Sequence, residues 1–269
     1  MKLLPPIVLF LSLCNAYGQD TVRLHPYFGN LKKISIDIDK QSYDFLFDTG
    51  GGETFISPEI AKSLKRIPYG NEVAYRMNGE KLTFEKCDSV ELHLGKVSLS
   101  ASTVGVWDIM NILPKEFPRI DGVISLKSLA GKIITIDLHH NFLIIESNES
   151  AKKRLRTATL LESKFANGIN GNELTCYLAV VLAKKKYWLL LDSGNLDTIL
   201  LAPATARSLG ISYAGTRVDV AEQHYTFGNL NHLAKASVVE LVHDGALNYE
   251  FMSHYVFTFD LQKNLIWRR

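Results

Sequence analysis

One pattern occurs twice in this chain, and a chain made from two copies of one unit is restricted to folds in which the copies pack together. YDFLFDTGGGETFISPEIAKSL, from Tyr43 to Leu64, and YWLLLDSGNLDTILLAPATARSL, from Tyr187 to Leu209, match at a constant offset of 144 residues. Tyr43 meets Tyr187, Asp48 meets Asp192, Gly50 meets Gly194 and Thr54 meets Thr198. One inserted residue then brings Pro58 onto Pro203, Ala61 onto Ala206 and Leu64 onto Leu209. A second pair, DGVISLKSLAGKIITIDLHHNFLII from Asp121 and DGALNYEFMSHYVFTFDLQKNLIW from Asp244, matches at an offset of 123. Two apolar strands alike by chance would not also keep the polar matches Asp121/Asp244, Thr135/Thr258, Asp137/Asp260 and Asn141/Asn264.

Each copy reads as mainly β with short helices. Ile34, Ile36 and Ile38 alternate with polar residues as in a half-buried strand, and YDFLF and YWLLL are short apolar runs suited to buried strands. A helix is predicted after each Asp-Thr/Ser-Gly turn: Ser57 caps the first, Pro58 suits its first turn and Glu59 favours the positive end of its dipole. The repeat sets a first lobe at residues 19–150 and a second at 174–269. Between them a linker is expected at 151–173, where the polar, glycine-rich SNESAKKRLRT and FANGINGNE lie. Ahead of both, MKLLPPIVLFLSLCNAYG (residues 1–18) reads as a secretory signal, with Lys2 before an apolar run and small residues Ala16 and Gly18 at its end. The expected destination is the periplasm or the exterior. That run falls short of the roughly 18 apolar residues a spanning helix needs, and Leu13 is bulky where a lipid-modified Cys14 would be preceded by a small residue.

The remaining composition excludes several classes. A formal charge of +2 gives no basic face for nucleic acid. After removal of the signal, Cys87 and Cys176 stand without the spacing of a zinc site, so no metal is expected. One disulfide and two buried thiols both remain open for them. The histidines are scattered without ligand spacing, and no nucleophile elbow, metallopeptidase helix or P-loop is present; DTGGGET lacks the Lys-Ser/Thr a phosphate loop requires.

The duplicated Asp-Thr/Ser-Gly carries the chemistry. Two lobes facing one another about a pseudo-twofold axis would bring one carboxylate from each to the centre, where two close carboxylates cannot both ionise readily and share a proton. Asp48 and Asp192 are thus the candidate catalytic pair, one activating water and the other protonating a carbonyl oxygen. Gly50 and Gly194 permit close backbone approach, and Thr49 and Ser193 supply hydroxyls able to bond across the lobe interface. The rival pairs read as structural: Asp121 and Asp244 precede Gly ahead of strands, and Asp137 and Asp260 precede Leu-x-x-Asn hairpin turns.

Phe47-Asp48-Thr49-Gly50 and Leu191-Asp192-Ser193-Gly194, each followed by Asp-Gly-apolar-apolar and a terminal T-[IF]-D-L-x-x-N strand pair, resemble the pepsin/retropepsin superfamily of aspartic proteases, in particular its small bilobal bacterial members. The resemblance implies a mainly β fold of two homologous, pseudo-twofold-related lobes with a cleft between them. It also implies an exported endopeptidase that needs no cofactor or metal, acts on peptide or unfolded protein through activated water, and is monomeric because both lobes share one chain. A flap hairpin over the cleft is expected in the first lobe, where Val73–Met77 leads into Asn78-Gly79, a tight-turn signal; Tyr75 is its candidate substrate contact, an ordinary surface hairpin being the plainer reading. Trp107 reads either as lining the first-lobe cleft or as core.

The chain departs from that family twice. Ser125 and Asn248 replace the glycine that usually follows the Asp-Gly-apolar-apolar segment. Gly51 and Asn195 replace the Ser or Thr that usually bonds the outer carboxylate oxygen, predicting a dyad that holds its proton to higher pH. The first departure, Ser125 and Asn248, supports an alternative: a catalytically silent peptide-binding module that retains the cleft.

Overall fold

A computed structural model describes residues 19–99, 103–168 and 171–269; the expected signal segment 1–18, with Cys14, lies outside the described residues. The chain is mainly β, with few and short helices. Among the described residues none of the helices is long and apolar enough to cross a membrane.

Three sheets carry the architecture. Residues 25–124 supply a ten-stranded sheet, and residues 163–247 a seven-stranded one. In the second, a pairing of Val181 with Thr226 joins Thr175–Leu182 to Val218–Phe227 and closes the strands on themselves. At the heart of each lies the same motif. Gln41–Phe47 runs parallel to Gly122–Ile124, which pairs antiparallel with Phe55–Ile56; Lys185–Leu191 runs parallel to Gly245–Leu247, which pairs antiparallel with Ile199–Leu201.

The strands form where the residues allow a buried pleat. Phe45 and Phe47 point into the core at 0% and 1% exposure, as do Leu189 and Leu191 in the second lobe. Each such side chain contributes roughly 1.5–3 kcal/mol through burial. The intervening Leu46 and Leu190 point to the opposite side, into separate small clusters. Gly122 and Gly245 are needed because a methyl at either would lie 2.3 or 2.4 Å from the carbonyl oxygen of Phe55 or Leu200.

The six-stranded third sheet is shared between the two halves of the chain, in the order Asp20–Arg23, Phe142–Glu146, Ile133–Asp137, Val256–Asp260, Leu265–Arg268, Thr159–Leu161. Its central pairing sets Thr135 opposite Thr258, two positions equivalent in the repeat, with their buried hydroxyls 2.9 Å apart. The hairpin turns leaving its inner strands place Asn141 and Asn264 at φ 63° and 56°, a backbone region Asn tolerates. Asp137 and Asp260 accept backbone N–H groups within those turns.

The span 151–173, read from the sequence as a linker, carries the end of the helix Asn148–Leu155, the strand Thr159–Leu161 of the shared sheet and the strand Ser163–Ala166 of the second-lobe sheet. Its polar composition reflects exposure rather than lack of structure. Cys87 and Cys176 are free, buried thiols in different sheets.

Candidate functional site: a carboxyl pair between the lobes

The strands Gln41–Phe47 and Lys185–Leu191 end at matching turns, and the turns meet. Gly50 N–H donates to Asp48 Oδ1 and Gly194 N–H to Asp192 Oδ1, each at 2.8 Å, so each carboxyl closes its own turn. Thr49 and Ser193 then lock the turns to one another. Thr49 N–H donates to Ser193 Oγ and Ser193 N–H to Thr49 Oγ1, both at 3.0 Å. The hydroxyls donate onward across the interface, Thr49 to Leu191 O at 2.7 Å and Ser193 to Phe47 O at 3.3 Å. Four bonds between buried groups fix the two turns with little freedom to slide.

The glycines let the carboxyls approach. A methyl on Gly50 would lie 2.3 Å from Asp192 Cγ, and one on Gly194 2.8 Å from Asp48 Oδ1, so each carboxyl rests against the other lobe's glycine. Asp48 and Asp192 are neighbours, each beside the other turn's glycine, and burial raises both above the usual carboxylate range. For Asp192, 4% exposed, the neighbouring Asp48 charge raises it further; for Asp48, the N–H groups of Gly50 and Gly51 work in the opposite direction. The pair therefore retains one proton well beyond the pH at which an ordinary carboxyl loses it, and presents one O–H donor beside one acceptor.

The residues that depart from the family pattern have defined places. Gly51 lies beside Asp48, a methyl there falling 3.2 Å from its Oδ2, and its backbone N–H favours the charged carboxylate. Asn195 turns its amide into its own loop, accepting from Asp197 N–H at 2.9 Å and donating to Thr198 O at 3.3 Å. Ser125 Oγ caps the short helix Leu126–Leu129 and reaches Gly52 O at 3.3 Å and Thr54 Oγ1 at 3.1 Å. Asn248 caps Tyr249–Ser253 by accepting Phe251 N–H at 3.0 Å, and its amide donates to Asp197 O at 2.6 Å. Both polar replacements thus brace the loop beside a turn. The rival aspartates Asp121 and Asp244 also hold equivalent backbone groups, the N–H of Asp44 and of Trp188.

Two apolar clusters flank the pair. Strand alternation puts Leu46 on the same side as Asp48, and Leu190 on the same side as Asp192. Leu46 packs with Leu31, Ile109, Ile120 and Val123, edged by Trp107 and Phe117. Leu190 packs with Leu200 and Ala246, edged by Tyr177, Val239, Leu241 and Met77.

Met77 comes from the other lobe. It belongs to the turn of the hairpin formed by Tyr69–Tyr75 and Lys81–Asp88, closed by Gly79 N–H to Arg76 O at 2.8 Å with Gly79 at φ 83°. Tyr75, the expected contact, is 66% exposed, and the residue the turn presses onto the second lobe is Met77. Sequence reasoning passed over Met77, although it is the apolar residue directly before Asn78-Gly79.

No family model matches the chain, and no curated protein matches it. Among solved structures it is similar to the basic 7S globulin from soybean (TM-score 0.58, 6% identity, 93% of this chain and 94% of that one). It is likewise similar to conglutin gamma, a basic 7S globulin from lupine seeds (TM-score 0.57, 7% identity, 93% and 94%). The likeness is one of fold.

It corrects the reading taken from the sequence. The two solved structures are basic 7S globulins and not pepsin-like aspartic proteases, so the expected membership of the pepsin/retropepsin superfamily is overturned. The aspartic endopeptidase activity, its Asp-dyad hydrolysis and the description of the chain as a protease fall with it.

Proposed function

We propose that the chain is a polypeptide-binding module that holds an extended segment in the groove between its lobes without hydrolysing it. The observation that carries the reading is a proton-sharing carboxyl pair flanked by one apolar cluster in each lobe. Such a centre offers a donor and an acceptor to a backbone amide, while the clusters take side chains on either flank. Burial of the pair makes each of those bonds stronger than it would be in water. In this reading the lobes are homologous and related by a pseudo-twofold axis through the Asp48/Asp192 and Thr135/Thr258 pairs. The roles of Thr49, Gly50, Gly51, Ser193, Gly194 and Asn195 are to position the carboxyls. The module acts as a monomer and is exported on residues 1–18.

The test is fluorescence anisotropy with a library of capped peptides, on the wild type, Asp48→Asn and Asp192→Asn, with the peptides recovered for mass spectrometry. Saturable binding is expected, weakened about tenfold by either substitution, the worth of one hydrogen bond to a charged group. The peptides are expected back intact. Equal affinity in all three proteins would remove the carboxyls from the site, and cleavage lost in Asp48→Asn would overturn a purely binding role.

A further inference from the structure

The two apolar clusters beside the carboxyl pair are equivalent in the repeat, Leu46 and Val123 in one answering Leu190 and Ala246 in the other, yet they are covered differently. The first is covered from its own lobe, by residues 107–117 and Tyr27. The second has only Leu190, Leu200 and Ala246 as buried members, and part of its cover is Met77 from the opposite lobe. A single backbone bond accompanies that side chain, Val242 N–H to Met77 O at 2.9 Å, and Gly79 approaches Val242 closely enough that a methyl there would touch its Cγ1 at 3.5 Å. Val242 is itself 57% exposed, so this backbone bond lies near solvent.

We infer that Met77 is a built-in occupant of the second-lobe apolar pocket, latching the 69–88 hairpin across the groove, and that a ligand enters by replacing it with an unbranched apolar side chain of similar length. Methionine suits a reversible plug: it is flexible, fills irregular gaps and forfeits little on leaving. The hairpin can swing because its two strands reach the rest of their sheet through one partner, Lys81–Asp88 pairing with Thr103–Val106, while Tyr69–Tyr75 is the edge strand. The ligand class rests on the polypeptide-binding reading; the latch does not.

The experiment compares wild type, Met77→Ser and Met77→Leu. In the free proteins, hydrogen exchange at the Val242 amide and the fluorescence of 1-anilinonaphthalene-8-sulfonate report the latch. Met77→Ser is expected to speed Val242 exchange at least tenfold and to raise dye fluorescence several-fold, with Met77→Leu close to wild type; no change in either readout would overturn the latch. Urea unfolding of Met77→Ser shows whether the fold is kept; if it is not, Met77→Leu with a Val242→Ala partner variant carries the same exchange comparison at neighbouring amides. In binding, capped peptides with a norleucine are expected to associate several-fold faster with Met77→Ser than with wild type, and peptides with serine in its place to gain nothing. Equal gains for both would overturn the competition. If no peptide binds any of the proteins, the polypeptide-binding reading fails while exchange and dye still decide the latch.

Discussion

At the scale of single residues, the lock between Thr49 and Ser193 is the most consequential interaction. Thr49 Oγ1 accepts one buried N–H and donates to one buried carbonyl, so Thr49→Val keeps the shape and orphans both partners. It is expected to cost about 2–4 kcal/mol in urea unfolding, since each unsatisfied buried group costs roughly 1–3 kcal/mol. Glu53 supplies a pH dependence of its own. Its side chain is buried with Oε1 unpartnered among the described residues, and burial raises its carboxyl to about 7, with Glu173 and Glu72 raising it further and Lys86 and Lys127 opposing. The folded chain keeps this proton after the unfolded chain has lost it, so stability falls as pH rises from about 4.5 to about 7 and then levels. Glu53→Gln should remove on the order of 2 kcal/mol of that fall, measured by unfolding at pH 4.5 and pH 8. Asp48 and Asp192 contribute in the same direction and leave a residual slope. The sequence announced the carboxyls and their hydroxyl neighbours because they recur at one offset. Glu53 aligns with Asp197 at the same offset, but Asp197 is paired with Arg217 while Glu53 is buried without such a partner, a difference the repeat does not show.

Among elements, the short helices depend on caps that the repeat made visible only as anomalies. Ser125 and Asn248 looked like replaced glycines; folded, each starts a helix and ties it to a neighbouring loop. Asn248→Ala removes a cap and the bond to Asp197 O and is expected to lower stability by about 1–2 kcal/mol, whereas Asn248→Asp keeps the cap and loses only the amide donation. Thermal unfolding of the two variants separates the contributions. The sequence marked an apolar run before each Asp-Thr/Ser-Gly turn and a strand after each Asp-Gly, but not that the two pair in parallel. The covering of the Leu190 cluster was not legible either, because it depends on Met77, in a hairpin turn of the first half of the chain, packing onto residues of the second, a tertiary event with no local signature. The same holds for the histidines: scattered in sequence, His139, His140 and His254 line one cavity of about 390 Å³ with Arg269, because separate turns converge at the shared sheet.

For the molecule as a whole, the shared sheet makes the halves interdependent. Ile133–Asp137 is central only if Val256–Asp260 lies beside it, and the buried Thr135, Thr258 and Glu146 form one polar set there with the partly exposed Arg154. Residues 19–150 and 174–269 produced separately are each expected to aggregate or remain soluble only as misfolded species, and the intact chain is expected to unfold in one transition by both circular dichroism and tryptophan fluorescence. Two resolved transitions would show that the sheet does not couple the lobes. That strands from both halves of the chain would share a third sheet was hidden, since the repeat aligns Thr135 with Thr258 without saying that they touch.

That pairing bears on how the chain is made. A strand finished at Asp137 waits for a partner completed at Asp260, 123 residues later. At about 5–20 residues per second the wait lasts roughly 6–25 seconds. Throughout it, the nascent first half displays an unpaired apolar edge of the kind that recruits other chains, so a chain cut off between Leu247 and Val256 would hold the strands beside its carboxyl pair and lack the seam that closes it.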